Sequence, residues 1–357
     1  MQISTLRPFL TSLFFSLFTI AFVSAKESEN DEPFNTNELI FHHITDSHSF
    51  HVAGDISVPL PVILWTDNGL VMFLSNEFHH DVEGKTIVEK NGMQFVNVHE
   101  KIYQLDAGAS SVAFDAENHP TNATKPLDLS ITKNVFTMFL SMVFLFWIFL
   151  VAARSYKKSE NNMPSGIGRF VEPIIVFIRD EVAIPNIGEH KYKKYMPYLL
   201  TLFFFIWINN IFGLIPFFPF SANLSGNIAF TATLAVITLI ITLASSKRYY
   251  WEHILWMPGV PVYMKLFLMP IELLGIFIKP MALLIRLFAN ITAGHVIVLS
   301  LISLIFVLNT VWVSPASVIF TVFISVIEVL VVAIQAYIFT LLSALYFGQA
   351  LEEAHDH

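Results

Sequence analysis

Cysteine is absent from this chain of 357 residues, and charge is scarce: 13% of positions are Asp, Glu, Lys or Arg. Without thiols there are no disulfides, thiolate metal sites, iron–sulfur clusters or cysteine nucleophiles. The phosphate-cradling pattern GxxxxGKS or GxxxxGKT is missing, so no direct contact with nucleotide is expected, and no HExxH pair signals a zinc protease. The formal net charge of −8 gives no reason to expect a nucleic acid partner. No internal repeat is present, and no motif calls for a cofactor.

What is abundant is apolar surface, with 55% hydrophobic residues and 35 Phe. That share exceeds the apolar content of an ordinary soluble domain. Much of the backbone must then satisfy its hydrogen bonds inside lipid, as helices do. The expected fold class is an all-α polytopic membrane protein with about five crossing or strongly tilted helices and an amphipathic surface helix. A small β-rich exported domain precedes them.

The charge is unevenly spread. Residues 26–130 hold 17 Asp and Glu against 5 Lys, formally −12, which leaves the remainder at +4. Ahead of this acidic stretch, Arg7, the apolar run Phe9 to Phe22 and the small-residue site Val23-Ser24-Ala25 read as a signal peptide cleaved after Ala25. The rival is an uncleaved first span, for which the run is short. The division is therefore 1–25 signal peptide, 26–130 acidic periplasmic extension, 131–350 membrane domain and 351–357 cytoplasmic tail.

Short strands are expected from Pro33 to about Gly108. Val58 to Trp65 and Leu70 to Leu74 flank Asn68-Gly69, and Thr86 to Val88 and Gln94 to Val96 flank Asn91-Gly92. Asn-Gly between β-rich runs favours a tight hairpin. Ala107 to Lys125, small and polar, reads as a linker.

Spans follow from the roughly 20 apolar residues that cross the hydrocarbon core. They fall at about Ile131 to Ala153, Tyr195 to Pro216 and Ile228 to Ser246, with Gly166 to Ile178 as the surface helix. Arg154, Lys157 and Lys158 after the first span, and Lys247-Arg248 after the third, mark cytoplasmic ends. Two segments, 262–308 and 314–347, are longer than a perpendicular crossing needs and must tilt, bend or lie partly in the membrane plane.

Between Lys279 and Glu352 only Arg286 and Glu328 carry formal charge. An arginine at the centre of a membrane helix costs about 2.5–3.5 kcal/mol, so it is rarely there without a partner or a task. At 100° per residue Arg286, Asn290, Ala293 and Ile297 share one face, and no acidic residue sits three or four positions from the arginine. Its partner is then expected from elsewhere, and a carboxylate carried past it on another subunit fits. Glu328, Gln335 and Leu342 also share a face. For Asn290 and Gln335 the rival reading is a hydrogen bond that packs helices together.

The run Lys279-Pro280-Met281-Ala282-Leu283-Leu284-Ile285-Arg286-Leu287-Phe288-Ala289-Asn290 resembles the arginine-bearing helix of subunit a of the F-type ATP synthase. The run from Glu328 to Phe339 is similar to that family's final helix, with Gln335 at the glutamine that neighbours the arginine. Asn210 to Pro216 resembles the end of an earlier conserved span, although Gly213 stands where some members carry Asp. The resemblance covers roughly residues 132–350.

The resemblance implies that Arg286 faces the rotating c-ring and favours the ionised form of its carboxylate. It would prompt proton release into an aqueous half-channel and block a direct leak. It further implies that Glu272 lies near the cytoplasmic half-channel. His295 and Glu328 would line the other half-channel as an imidazole and carboxylate pair whose two positions are reversed in some members. Implied partners are the c-ring, the peripheral stalk of subunit b, the remaining F0F1 subunits and membrane lipid, in a bacterial inner membrane. Rival readings are a self-contained ion channel or secondary transporter and a passive membrane scaffold. In the extension, His42, His43, His48 and His51 have spacings open to Zn or Cu, but no clean ligand motif, and a solvated loop is the simpler expectation.

Overall fold

The computed structural model describes residues 45–352 apart from 54–55, 107, 116–118, 159–164, 216–217, 258 and 309–310. The expected signal peptide, His42, His43 and the end of the tail lie outside the described residues. What is described is mostly helical, with five helices long and apolar enough to cross a membrane and a small β-rich region ahead of them.

Among its described residues the β region has nine strands, β1 to β9. β1 (Ser49–Ala53) and β2 (Ile56–Pro59) form a hairpin. β3 (Pro61–Thr66) pairs on one side with β4 (Gly69–Leu74) and on the other with β9 (Leu127–Asp128). β5 (Val88–Lys90), β6 (Met93–Val98), β7 (Lys101–Leu105) and β8 (Ala123–Thr124) form an antiparallel sheet in sequence order. Val62, Leu64, Val71, Phe73, Phe95 and Ile102 meet in a shared core.

Of the two Asn-Gly hairpins, the second is as expected. Lys90 pairs with Met93 around Asn91 (φ 54°) and Gly92 (φ 74°), the two left-handed positions of a tight turn. In the first, Thr66 pairs with Gly69, so the loop residues are Asp67-Asn68 and Gly69 (φ 107°) opens the returning strand. The expected strand from Val58 to Trp65 is broken at Leu60, because the residues flanking it, Pro59 and Pro61, each lack the N–H a continuous ladder needs. The expected linker also folds back: Ala123–Thr124 pairs with β7.

The membrane part begins with α1 (Lys133–Lys158). α2 (Ile167–Phe177) runs through a π-helical turn, Ile178–Ala183, into α3 (Ile184–Ile187). This stretch is more than a surface helix, since Ile178, Val182 and Ala183 are fully buried in the main core. α4 (Tyr192–Leu214) is the central helix, half buried, between α1 and the last helix. α5 (Ile228–Ser245) and the short α6 (Arg248–Leu255) follow.

α7 (Val262–Val307) and α8 (Ser314–Leu351) are the longest elements, at 46 and 38 residues. At 1.5 Å per residue they extend about 69 and 57 Å, roughly twice a hydrocarbon core of about 30 Å. The end of α8 is tied down. The Lys247 N–H and the Lys191 ammonium donate to the Ala350 and Leu351 carbonyls at 3.0 and 3.1 Å, and the lysine charge complements the helix terminus. Gly348 has no room for a side chain, because the Asn186 carbonyl lies against it.

The β region is fastened to α1. The Lys133 and Asn134 amides, orphan donors of the first turn, give hydrogen bonds to the Ser47 carbonyl at 2.8 Å and the Asp46 carboxylate at 3.1 Å. Phe50 packs edge-on against Phe136 of α1 and Phe218, with ring centroids 5.5 and 5.3 Å away. Buried His48 lies 3.5 Å from Asp128 and 4.0 Å from Glu100.

Burial alone would raise the Asp128 pKa, but His48 and hydrogen bonds from Ser130 outweigh it and hold the carboxyl at about 2. A depressed carboxyl pKa adds stability above the ordinary value near 3.8 and loses it as pH falls through the folded value. Asp128→Asn is therefore expected to weaken the junction at neutral pH. The difference from the native chain should vanish between about pH 4 and pH 2, as read by hydrogen exchange of the amides of residues 129–134.

Candidate functional site

α7 and α8 form a helical hairpin closed by a short turn at Val311–Val313, with the Ser317 hydroxyl donating to the Leu301 carbonyl. The buried stripe of α7 is Ile276, Pro280, Leu283, Leu287 and Ile291, spaced as one face of an α-helix. Most of it enters the same core as Val332, Ala336 and Phe339 of α8. The rest of α7 is the least covered of the five long helices.

Arg286 and Asn290 lie on this uncovered side, both exposed. Among the described residues no carboxylate pairs with Arg286, and no hydrogen bond joins it to Asn290 or to buried Gln335.

His295 is nine positions beyond Arg286. On a helix that is about 14 Å along the axis and half a turn around it. Its Nδ1 lies 3.9 Å from Glu328 Oε1 across the hairpin, ion-pair distance but too long for a hydrogen bond. The Glu328 side chain is almost fully buried, and among the described residues Oε1 has no hydrogen-bond partner. Such a group is costly to retain for packing alone. Gly294 makes the room for it, since a Cβ there would stand 2.6 Å from Oε1. Gly294 was legible only as the neighbour of His295; its role needed the partner helix.

Two other polar groups of residues flank the hairpin. Toward the N-terminal half of α7, Lys279 donates to Gln349 Oε1 at 2.8 Å, and Thr242, Tyr250, Lys279, Tyr346 and Gln349 line a small cavity. Half-buried Glu272 stands close enough to Tyr250 to matter: burial first, and the Glu272 charge second, raise the pKa of that hydroxyl. The Lys279–Gln349 contact spans 70 residues and has no sequence signal.

On the other side lie buried polar atoms of Asn209, Asn210, Asn223, Ser225 and Thr292 that have no hydrogen-bond partner among the described residues. The turn at Leu224–Gly226 packs on both α4 and α7. Gly213 is pressed against the Ala222 carbonyl, where a Cβ would lie at 2.9 Å, so this packing has no space for a side chain there.

In the β region His48 serves the ion pairs at the α1 junction, and His51 sits in β1 opposite Ser57. Among the described residues no three His, Asp or Glu come together as a metal site.

Fold and site define a polytopic membrane subunit whose two longest helices carry paired ionisable groups in otherwise apolar surroundings. Residues 135–348 match the family described as ATP synthase A chain, and the chain belongs to that family. Residues 39–129 match a second family, described as a domain of unknown function, DUF8433. The chain is 43% identical over 242 residues to the ATP synthase subunit a of Chloroherpeton thalassium, covering 64% of this chain and 71% of that one. It is 44% identical over 237 residues to an ATP synthase subunit a 2 of Chlorobaculum tepidum, covering 64% and 66%. Against the ATP synthase subunit a 2 of Prosthecochloris aestuarii it is 41% identical over 261 residues, covering 71% and 79%. Membership makes the chain a multipass membrane component of the F0F1 assembly, with a role in proton transport.

Proposed function

We propose that the chain is the stator half of the ion path, with Arg286 facing the carboxylate of a rotating c-ring and one aqueous half-channel on each side of it. The observation that carries this reading is the placement of Arg286. It is exposed, with no carboxylate partner among the described residues, on the barest helix, half a turn and about 14 Å from the His295–Glu328 pair.

A proton on a ring carboxylate that nears Arg286 is released, because an adjacent guanidinium lowers a carboxyl pKa by about 1–3. Glu328 and His295, with the unpartnered polar atoms of Asn209, Asn210, Asn223 and Ser225, suit a hydrated path on the extension's side. Glu272, Tyr250, Lys279, Tyr346 and Gln349 suit the path to the opposite side. Asn290, one turn beyond Arg286 on the same exposed side, and Gln335 on the facing helix would help orient what passes the arginine.

The basic ends of α1 and α5 belong in the cytoplasm by the positive-inside rule. The β region is then periplasmic, in a bacterial inner membrane, and the end of α8 cytoplasmic. Subunit b would hold this stator against the turning ring, and nucleotide chemistry would belong to other subunits. Replacing Arg286 and measuring pumping and leak tests the reading, and conduction by the purified chain alone would favour a self-contained channel instead.

A further inference from the structure

One face of the β4–β3–β9 sheet is apolar and, among the described residues, uncovered. Side chains alternate across a strand, so this face collects Leu70, Trp65 and Leu127 in one row and Met72, Ile63 and Leu129 in the next. Trp65, Met72 and Leu127 are 57%, 61% and 63% exposed. The opposite face packs Val62, Leu64, Val71 and Phe73 into the core. A contiguous exposed patch of this kind marks a binding surface in a soluble domain.

The sheet's position says what covers it. The pairing with β3 continues beyond β9: the Leu129 N–H donates to the Ile63 carbonyl at 2.9 Å and the Ile131 N–H to the Pro61 carbonyl at 3.1 Å. Two residues later α1 begins, and its sides expose Phe139, Val143, Phe146 and Trp147, the lipid-facing belt of a membrane span. From Leu127 to Ile131 is about 13 Å of strand, so every row lies within a short distance of the headgroup level. The junction at Ser47, Asp46, Phe50 and Lys133 holds the sheet there.

We propose that this face is a lipid-binding platform, which seats the β region on the headgroup and upper acyl layer of the leaflet around α1. Trp65 occupies the interfacial position that tryptophan favours. The contact is apolar rather than electrostatic, since residues 26–130 carry a formal −12 and gain nothing from anionic headgroups. The face thereby fixes the tilt of the region above the membrane domain.

Because the chain has no cysteine, single-cysteine variants report one position each once the other subunits are made cysteine-free. Met72→Cys, Leu127→Cys and, as control on the exposed side of β5, Glu89→Cys would be spin-labelled in the full complex reconstituted in phosphatidylcholine nanodiscs. Power saturation with oxygen, which partitions into lipid, and with a water-soluble nickel chelate reads the surroundings. The expected result is oxygen accessibility above nickel accessibility at positions 72 and 127, and the reverse at 89. Nickel accessibility dominant at all three would overturn the proposal. So would low accessibility to both reagents at 72 and 127, which would mean that a protein partner covers the face. Leu74→Cys and Leu129→Cys repeat the measurement should either first variant fail to assemble.

Discussion

Arg286→Ala is expected to abolish ATP-driven proton pumping in inverted membrane vesicles, to below about a tenth of the native rate, while the complex still assembles. The figure follows from the charge effect: a guanidinium lowers a neighbouring carboxyl pKa by about 1–3, so removing it disfavours the ionised carboxylate about 10- to 1,000-fold. The same variant should raise passive proton leak, because the positive charge also keeps hydronium from passing between the two paths. Assembly should survive, since Arg286 is exposed and Leu283, Leu287 and Ile291, which seat α7 in the core, are untouched. Arg286→Lys should restore the barrier to leak better than it restores pumping. It keeps the charge but loses the planar fork that matches a carboxylate. Normal pumping in Arg286→Ala would leave a passive scaffold as the better account.

The second large effect concerns the pair across the hairpin. Glu328→His alone sets two imidazoles together, and His295→Glu alone sets two carboxylates together, each a like pair that resists ionising jointly. Both single variants should fall to about a tenth of native pumping or less. The double variant His295→Glu with Glu328→His restores one imidazole beside one carboxylate across the 3.9 Å gap, and should recover several-fold over either single change. A merely structural role predicts no such recovery, because the double variant perturbs packing at least as much as either single one. Gly294→Ala serves as the steric counterpart. It keeps both titrating groups but forces the Glu328 carboxylate aside, and should reduce pumping without adding leak.

The features legible in the sequence were those that lipid imposes. Helix lengths follow from apolar runs, so the five long helices were readable, including two too long for a simple crossing. Arg286 and Glu328 stood out because a bilayer interior makes charge costly. What could not be read were contacts made between distant segments. Lys279 meets Gln349 and Gly348 meets Asn186 with no local pattern in either partner. The buried course of residues 178–187 was hidden because Arg179, Asp180 and Glu181 interrupt the apolar pattern, while a π-helical turn shifts the helix face there. In the extension, Pro59 and Pro61 divided one apolar run between two sheets, and Ala123–Thr124 joined a sheet although its composition is that of a linker.

The central claim is that the Arg286 face of α7, and not the His295 face, meets the ring. A cysteine at Asn290, otherwise the sole thiol in the chain, and a second beside the acidic residue of the ring helix would be oxidised in the assembled complex. The account predicts a disulfide between the two subunits that stops pumping, with pumping restored on reduction. A cysteine at His295 that forms this cross-link while Asn290→Cys does not would contradict it.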